Sequence, residues 1–377
     1  MNTEIVIKRL DVPSGKRVLV TSDIHGHMSY LKRILEKASF SGNDLLVVIG
    51  DMIEKGPESL KTLRYIMALY ESGNVVVLSG NVDMWRVQML ENINERNAKD
   101  FYEYLLYMRK WYGTSLFDEM MSELGRTAAK PEDLIDIRNL ILTCFNKELD
   151  FIRNLPTVLD TQNYTFVHGG LPENFYNSIK SFNIYSLLKY NNFMSENLHF
   201  DKYIVVGHWP VTLYNSKIAQ SNPLINKSQK IISIDGGCGL KYDGQLNLMI
   251  IPDINCETDC ISFISYDGFP KARALIPQKA SEDSINIRWC DNEVKVLLES
   301  DGEFAYIQHV SSGRKLWIYS KFMYDESHCD DCTDYVLPVN KDDIVSLVYE
   351  TSRGYIVKKD GVSGWYYGEL ERLEPQE

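Results

Sequence analysis

Six apolar runs in this 377-residue chain each end on residues that can hold a cation or move a proton. Arg17–Ser22 leads into Asp23-Ile24-His25-Gly26, Asp44–Ile49 into Gly50-Asp51, and Val75–Leu78 into Gly80-Asn81. Tyr164–Val167 leads into His168-Gly169-Gly170, Tyr203–Val206 into Gly207-His208, and Ile231–Ile234 into Asp235-Gly236-Gly237. Carboxylate and amide oxygens mixed with imidazole nitrogens suit manganese, iron or zinc better than calcium. The glycines allow sharp turns that bring side chains close to a shared centre. A lone aspartate after a strand is ordinarily a turn residue, and a lone histidine is ordinarily structural. Here four of the seven histidines (His25, His27, His168, His208) fall at strand ends, so coincidence is a poor account of the pattern.

These groups can act together only if a sheet carries them to one edge. Residues 1–84 alternate predicted strands with predicted helices over Tyr30–Ser39 and from Pro57 to Tyr70, where proline suits a first turn. Such alternation indicates a parallel or mixed sheet covered by helices, and sites in open sheets of this kind lie beyond the strand carboxyl ends. Residues 85–155 read as a helical insertion, with Phe101, Tyr104, Leu105, Met108 and Tyr112 at helical spacing and a second helical stretch over Pro131–Asn154. The aromatic stripe is read as core packing. Strands resume up to Gln245–Ile251 and Cys260–Tyr266. Beyond about residue 280 only short strands with turn signals remain, including hairpin turns at Ser311-Ser312-Gly313 and Asp360-Gly361. Two stretches about 50 residues apart share a strand–turn–aromatic strand–Gly turn–Trp order, which two small SH3-like repeats or one larger β unit would explain. The expected fold is α+β. A domain over 1–278 carries the insertion 85–155, and an all-β module covers 279–377, with repeats at about 283–328 and 335–377.

The composition is 44% hydrophobic and 24% charged, with a net charge of −12. That balance argues against non-specific nucleic-acid binding, which needs a basic surface. No apolar run reaches the ~18–20 residues that span a bilayer. The first residues, MNTEIVIKRLDVPSGKR, lack the features of a signal peptide, so a cytoplasmic location is expected. Seven cysteines are scattered without a framework. CETDC (256–260) and CDDC (329–332) have loose metal-ligand spacing, but reduced thiols in ordinary packing are the favoured reading.

The blocks SDIHG (22–26), GDMIEKGPESL (50–60), SGNVD (79–83), VHGG (167–170), VVGHWPV (205–211) and IDGGCG (234–239) resemble the calcineurin-like metallophosphoesterases. Their closest likeness is to the phosphoprotein-phosphatase and bacterial diadenosine tetraphosphate hydrolase branch. The likeness covers roughly residues 17–250, in family order. It implies a four-layer β-sandwich flanked by helices and two divalent metal ions, manganese and/or iron with zinc as an alternative. Asp23 and His25 would bind one ion, Asn81, His168 and His208 the other, and Asp51 would bridge them. The expected chemistry is hydrolysis of a phosphate ester or anhydride by a metal-activated hydroxide.

The chain departs from the family where the reaction is completed. Val82 replaces the histidine of the GNHD/GNHE block, Glu54 replaces its aspartate partner, and Lys55 replaces a phosphate-binding arginine. A second arginine, expected in an LLWxR-like block, is missing where Ser186–Asn191 stands. Loss of a general acid costs ~10²–10⁴ in rate, least where the leaving group departs without a proton. The departures therefore favour nucleotides, anhydrides or diesters over phosphoserine. Asp51, Lys55, Glu54 and His27 are the candidate catalytic residues, with His27, Glu54 or Asp83 as substitute proton donors. Expected partners are a phosphorylated small molecule, nucleotide or phosphoprotein substrate, with no membrane, and a protein partner for the β module. The alternative is a catalytically weak, metal-binding interaction protein.

Overall fold

In the computed structural model, which describes residues 4–299 and 302–374, the strand Val18–Thr21 is buried along its whole length. Its side chains alternate between two cores. Val18 and Val20 join one, and Leu19 joins the other. Leu45–Val48 repeats the division, with Val47 on one side and Leu46 and Val48 on the other. A strand covered on both faces has no polar face to show, which is why these segments read as unbroken apolar runs.

The chain divides into two units. The first comprises Met1–Trp209, Pro223–Leu240 and Leu246–Tyr266. It holds a five-stranded sheet in the order Ser262–Tyr266, Leu246–Ile251, Val18–Thr21, Leu45–Val48, Val75–Val77. Its second sheet has the order Ile7–Arg9, Val158–Asp160, Tyr164–Val167, Tyr203–Val206, Ile231–Ser233, Leu224–Asn226. Val20 and Val47 from the first sheet meet Phe166, Val205 and Ile232 from the second in one core. The outer face of the first sheet is closed by Leu31 and Ile34 of helix Met28–Lys37 and Leu63 and Ile66 of helix Ser59–Glu71. The outer face of the second packs on Phe175, Leu187 and Phe193. The result is the four-layer arrangement expected. Val18–Thr21, Leu45–Val48 and Val75–Val77 run parallel. Tyr164–Val167, Tyr203–Val206 and Ile231–Ser233 do likewise in the other sheet. Each set therefore delivers its trailing residues to one edge.

Five helices follow the strand Val75–Val77: Asn81–Glu91, Ala98–Tyr112, Leu116–Glu123, Asp133–Cys144 and Asn146–Arg153. The first begins at Asn81, earlier than the composition change at 85. The expected single stretch over 131–154 is broken at Phe145, a buried residue whose φ of −109° and ψ of 26° leave the helical region. No helix among the described residues is long and apolar enough to cross a membrane.

The second unit comprises Pro210–Asn222, Lys241–Gln245 and Asp267–Glu377. It contains two three-stranded meanders, Val294–Glu299/Phe304–His309/Lys315–Tyr319 and Ile344–Thr351/Gly354–Lys359/Val362–Tyr366. Each has a register shift in its first hairpin, between Val296 and Leu298 in one and Leu347 and Tyr349 in the other. The second meander is extended by Lys271–Ala274, Leu370–Arg372 and Ala219–Gln220 into a six-stranded sheet. Cys329 and Cys332 are buried free thiols with their sulfurs 3.9 Å apart.

Candidate metal centre

The carboxyl ends of the parallel strands deliver their polar residues through a strained backbone. Asp23, His25, Asp51, Glu54, Lys55 and His208 all have φ between 47° and 66°. Non-glycine residues rarely occupy this left-handed region, and where the surrounding structure holds them there, function is the usual reason. The turns are pinned by backbone hydrogen bonds between neighbouring strand ends. The Asp23 amide donates to the Gly50 carbonyl (3.1 Å), and the His25 amide donates to the Asp51 carbonyl (3.0 Å). Glycine is needed where the loops touch. A Cβ on Gly80 would lie 2.2 Å from Asp51 Oδ1, and one on Gly207 would lie 2.3 Å from Asp23 Oδ2.

Asp23, His25 and Asp51 present ligand atoms within 4.8 Å of one another, all buried. His25 Nδ1 donates to the Ile53 carbonyl (3.1 Å), which leaves Nε2 facing Asp23 Oδ1 at 3.9 Å and Asp51 Oδ2 at 3.8 Å. On the other side of Asp51, His168 Nδ1 donates to the Ile49 carbonyl (2.7 Å) and Nε2 faces Asn81 Oδ1 at 3.0 Å and Asp51 Oδ1 at 3.4 Å. The His208 ring lies 5.3 Å from that of His168, and its amide donates to Asp23 Oδ2 (2.9 Å). His208 Nε2 is held at 2.7 Å by Asn191 Oδ1, so Nδ1 is the nitrogen left for a cation. The six residues expected as ligands thus lie together, five of them buried and His208 partly exposed, with Asp51 between two groups of donors.

The charges fit a cation site. Burial and the neighbouring Asp51 raise Asp23 to about 6, with His168 opposing. Burial disfavours the charged form of His168, but Asp51 and Asp23 outweigh it and push the imidazole up to about 10. Asp51 is held well below the usual carboxylate range, because His168 and His25 outweigh its burial. Burial lowers His25 and His208 to about 3, aided by Lys55 for the first and His168 for the second. Buried carboxylates crowded beside imidazoles are costly in an apolar interior unless positive charge joins them. Oxygen and imidazole nitrogen in this proportion are the donors that divalent first-row metals take. The residues present therefore fit a divalent metal ion.

The candidate catalytic residues have distinct surroundings. Lys55 Nζ lies 3.4 Å from His25 Nε2, inside the cluster. Burial lowers its pKa against the pull of Asp51, Asp23 and Asp235. Glu54 is fully buried. Its Oε1 accepts from the Leu116 amide (3.3 Å) and lies 3.7 Å from Arg86 Nε. His27 Nδ1 donates to the His25 carbonyl (2.7 Å), so the ring braces the turn that carries His25. Asp83 accepts from the amides of Met52 (2.9 Å) and Gly80 (3.2 Å), which commits both its oxygens to backbone donors.

Two contributors escaped the sequence reading, and a third was seen only as a strand-end residue. Asn191 stands where the LLWxR-like block would end in arginine, and it orients His208 instead. Replacing Asn191 by Ala should weaken metal binding about 10–100-fold, the usual cost of losing a ligand's orienting partner. Manganese titration of the folded variant checks this, and an unchanged affinity would remove Asn191 from the site. Arg86 comes one turn after Val82 and packs on the Tyr104 ring at 4.4 Å, and its charge reaches Lys55. Asp235 is buried and raised, by burial and then by Asp23. Its strand-end position was visible, and its place beside Asp23 and Lys55 was not.

Comparison with known proteins finds a family and relatives. The family model described as calcineurin-like phosphoesterase matches residues 16–236. A symmetrical bis(5'-nucleosyl)-tetraphosphatase of Buchnera aphidicola subsp. Baizongia pistaciae is 28% identical over 261 residues, covering 57% of this chain and 88% of that protein. The enzyme of the same description from Vibrio vulnificus is 38% identical over 82 residues, only 22% of this chain and 30% of its own length. Among solved structures, a protein serine/threonine phosphatase from Saccharomyces cerevisiae matches with a TM-score of 0.41 and 12% identity, over 71% of this chain and 84% of that chain. With more than half its length matched by the family model and its donors gathered at the carboxyl ends of strands from both sheets, the chain belongs to the calcineurin-like phosphoesterases.

Proposed function

We propose that this protein is a dinuclear metal-dependent phosphoesterase that cleaves phosphoanhydrides in preference to alkyl phosphate esters. The observation that carries the reading is the position of Asp51, with His25 on one side of its carboxylate and His168 and Asn81 on the other. Asp23 and His25 would hold one ion and Asn81, His168 and His208 the second, with Asp51 shared. Manganese and iron are the metals best suited to these donors, with zinc as an alternative. When bound, such ions supply a nucleophile at neutral pH and neutralise phosphate oxygens.

The chain's own residues do the rest. Lys55 offers a compact charge to the phosphate from within the cluster, without the bidentate fork of arginine. Asn191 fixes the His208 ring, and His27 supports the His25 turn. Val82 carries no proton, Glu54 is engaged with Arg86 and the Leu116 amide, and Asp83 is engaged with backbone amides. With no imidazole at position 82 to protonate a leaving alkoxide, a substrate whose leaving group is already stable as an anion is favoured. The likeness to the tetraphosphatases points the same way.

With manganese, the purified protein should turn over diadenosine tetraphosphate with a kcat/KM at least about 10² above that for a phosphoserine peptide, the lower bound of a missing general acid. A preference for the phosphopeptide would overturn the substrate assignment. Full metal occupancy without turnover of any phosphoester would make the chain an interaction protein instead, with its all-β unit as the docking module.

A further inference from the structure

Beyond the metal cluster, helix Asn81–Glu91 carries a second set of chemistry on the face that begins with Asn81. Trp85, Gln88 and Asn92 follow Asn81 at intervals of four, three and four residues, which keeps them in one line. At a rise of 1.5 Å per residue, Trp85 stands about 6 Å and Asn92 about 16 Å along the axis from Asn81. This line borders a cavity of about 340 Å³, closed on its far side by Asn97, Asp100 and Phe101. The volume falls in the range of small-ligand sites.

We propose that this cavity is the nucleoside subsite of the phosphoesterase centre, taking the base and ribose of a nucleoside polyphosphate whose phosphates run back along the helix to the metal ligands. The inference rests on the phosphoesterase reading above. Trp85 is 47% exposed, a large flat ring lining the cavity. An aromatic face of this kind stacks any base. Beyond it the cavity is lined by Gln88, Asn92 and Asp100, whose Nε2, Oδ1 and carboxylate suit a base edge and ribose hydroxyls, while the Asn97 amide is held by Asn94 and Asn92. None of the residues lining it is lysine or arginine, and Asp100 would repel a phosphate, so the uncharged end of the ligand belongs here.

Positive charge stands instead beside the Trp85 ring. Lys189 Nζ stands 5.4 Å from the Trp85 ring centroid, and its charge is felt at His208. Arg86 lies 6.0 Å from the same ring. Asn81, then the Trp85 ring with Lys189 beside it, then the polar cavity follow one another along the helix. Phosphates first and nucleoside last is the order in the ligand.

Calorimetric titration of the metal-free, full-length protein with adenosine 5'-diphosphate tests the subsite without any turnover. Binding should weaken about tenfold or more in Trp85→Ala, from loss of stacking, and recover to within a few-fold of wild type in Trp85→Phe, which keeps an aromatic face. Inorganic pyrophosphate, lacking a base, should bind Trp85→Ala as it binds wild type. Failure of the diphosphate to bind, or equal binding by wild type and Trp85→Ala, would overturn the subsite. If aryl phosphates are hydrolysed meanwhile, the phosphoesterase reading survives that result. Loss of nucleotide binding in Trp85→Ala alongside no turnover of any ester would instead keep the subsite and sink the hydrolase reading.

Discussion

Asp51→Asn should reduce hydrolysis of every substrate by at least about 10³-fold, because the exchange removes the charge between the two donor groups. Asp51 Oδ1 accepts the Val82 amide at 2.8 Å and lies 3.4 Å from His168 Nε2, while Oδ2 lies 3.8 Å from His25 Nε2. Asparagine has nearly the same shape, so the Val82 contact and the fold should survive. What is lost is the negative charge that a pair of cations would share, and one of the two oxygens becomes a donor that cannot ligate. A bound metal pair would supply the nucleophile at neutral pH, so weakening its hold should remove most of the rate. Manganese analysis after dialysis should show the bound metal falling with the rate, and circular dichroism should show the helices intact. Retention of more than a tenth of wild-type activity by metal-depleted Asp51→Asn would remove Asp51 from the centre.

What the sequence made legible follows from how the first unit is layered. Val18–Thr21, Leu45–Val48 and Tyr164–Val167 are buried on both faces. Each therefore announces itself as an apolar run, and the polar residue after it is conspicuous. Elements with weaker burial left weaker marks. Ile7–Arg9 and Leu224–Asn226 are three residues long and only partly buried, too short to show a period. The helix from Asn81 was hidden by its own start. Gly80 and Asn81 resemble a turn, and only the fold shows Asp83 reaching back to the Gly80 amide at 3.2 Å to begin a helix. The break at Phe145 has neither glycine nor proline to signal it, and tertiary packing of a buried ring decides it.

The site divides the same way. The expected ligands were legible because each is tied to its own strand. Asn191 and Arg86 were not, because their roles depend on where a loop and a helix face come to rest. Asn191 meets His208 from 17 residues away, and Arg86 meets Glu54 from 32 residues away, with no fixed spacing to search for.

Val82→His should raise turnover of a phosphoserine peptide about 10²-fold, the lower end of what a general acid contributes. Position 82 is fixed beside the centre, since its amide donates to Asp51 Oδ1. Its side chain is 5% exposed and belongs to the apolar cluster of the helical layer, so valine there excludes both water and protons. A histidine in its place needs an orienting partner, and Glu54 is the residue that stands for the family's aspartate. Burial raises the Glu54 pKa, with Arg86 opposing, so its carboxyl is poised to gain from an imidazolium neighbour. The gain should depend on the leaving group. A serine alkoxide needs the proton and benefits fully, whereas p-nitrophenolate leaves without it and its ester should gain less than about tenfold. Adding Glu54→Gln to Val82→His should erase the gain if Glu54 orients the ring. Manganese content and circular dichroism identify a variant that has merely lost its metal or its packing. With both intact, an unchanged or lower phosphoserine rate, or an equal gain for both esters, would mean that the missing imidazole does not set the substrate preference. The preference would then have to come from the groups that hold the substrate, Lys55 and the Trp85 face of the helix.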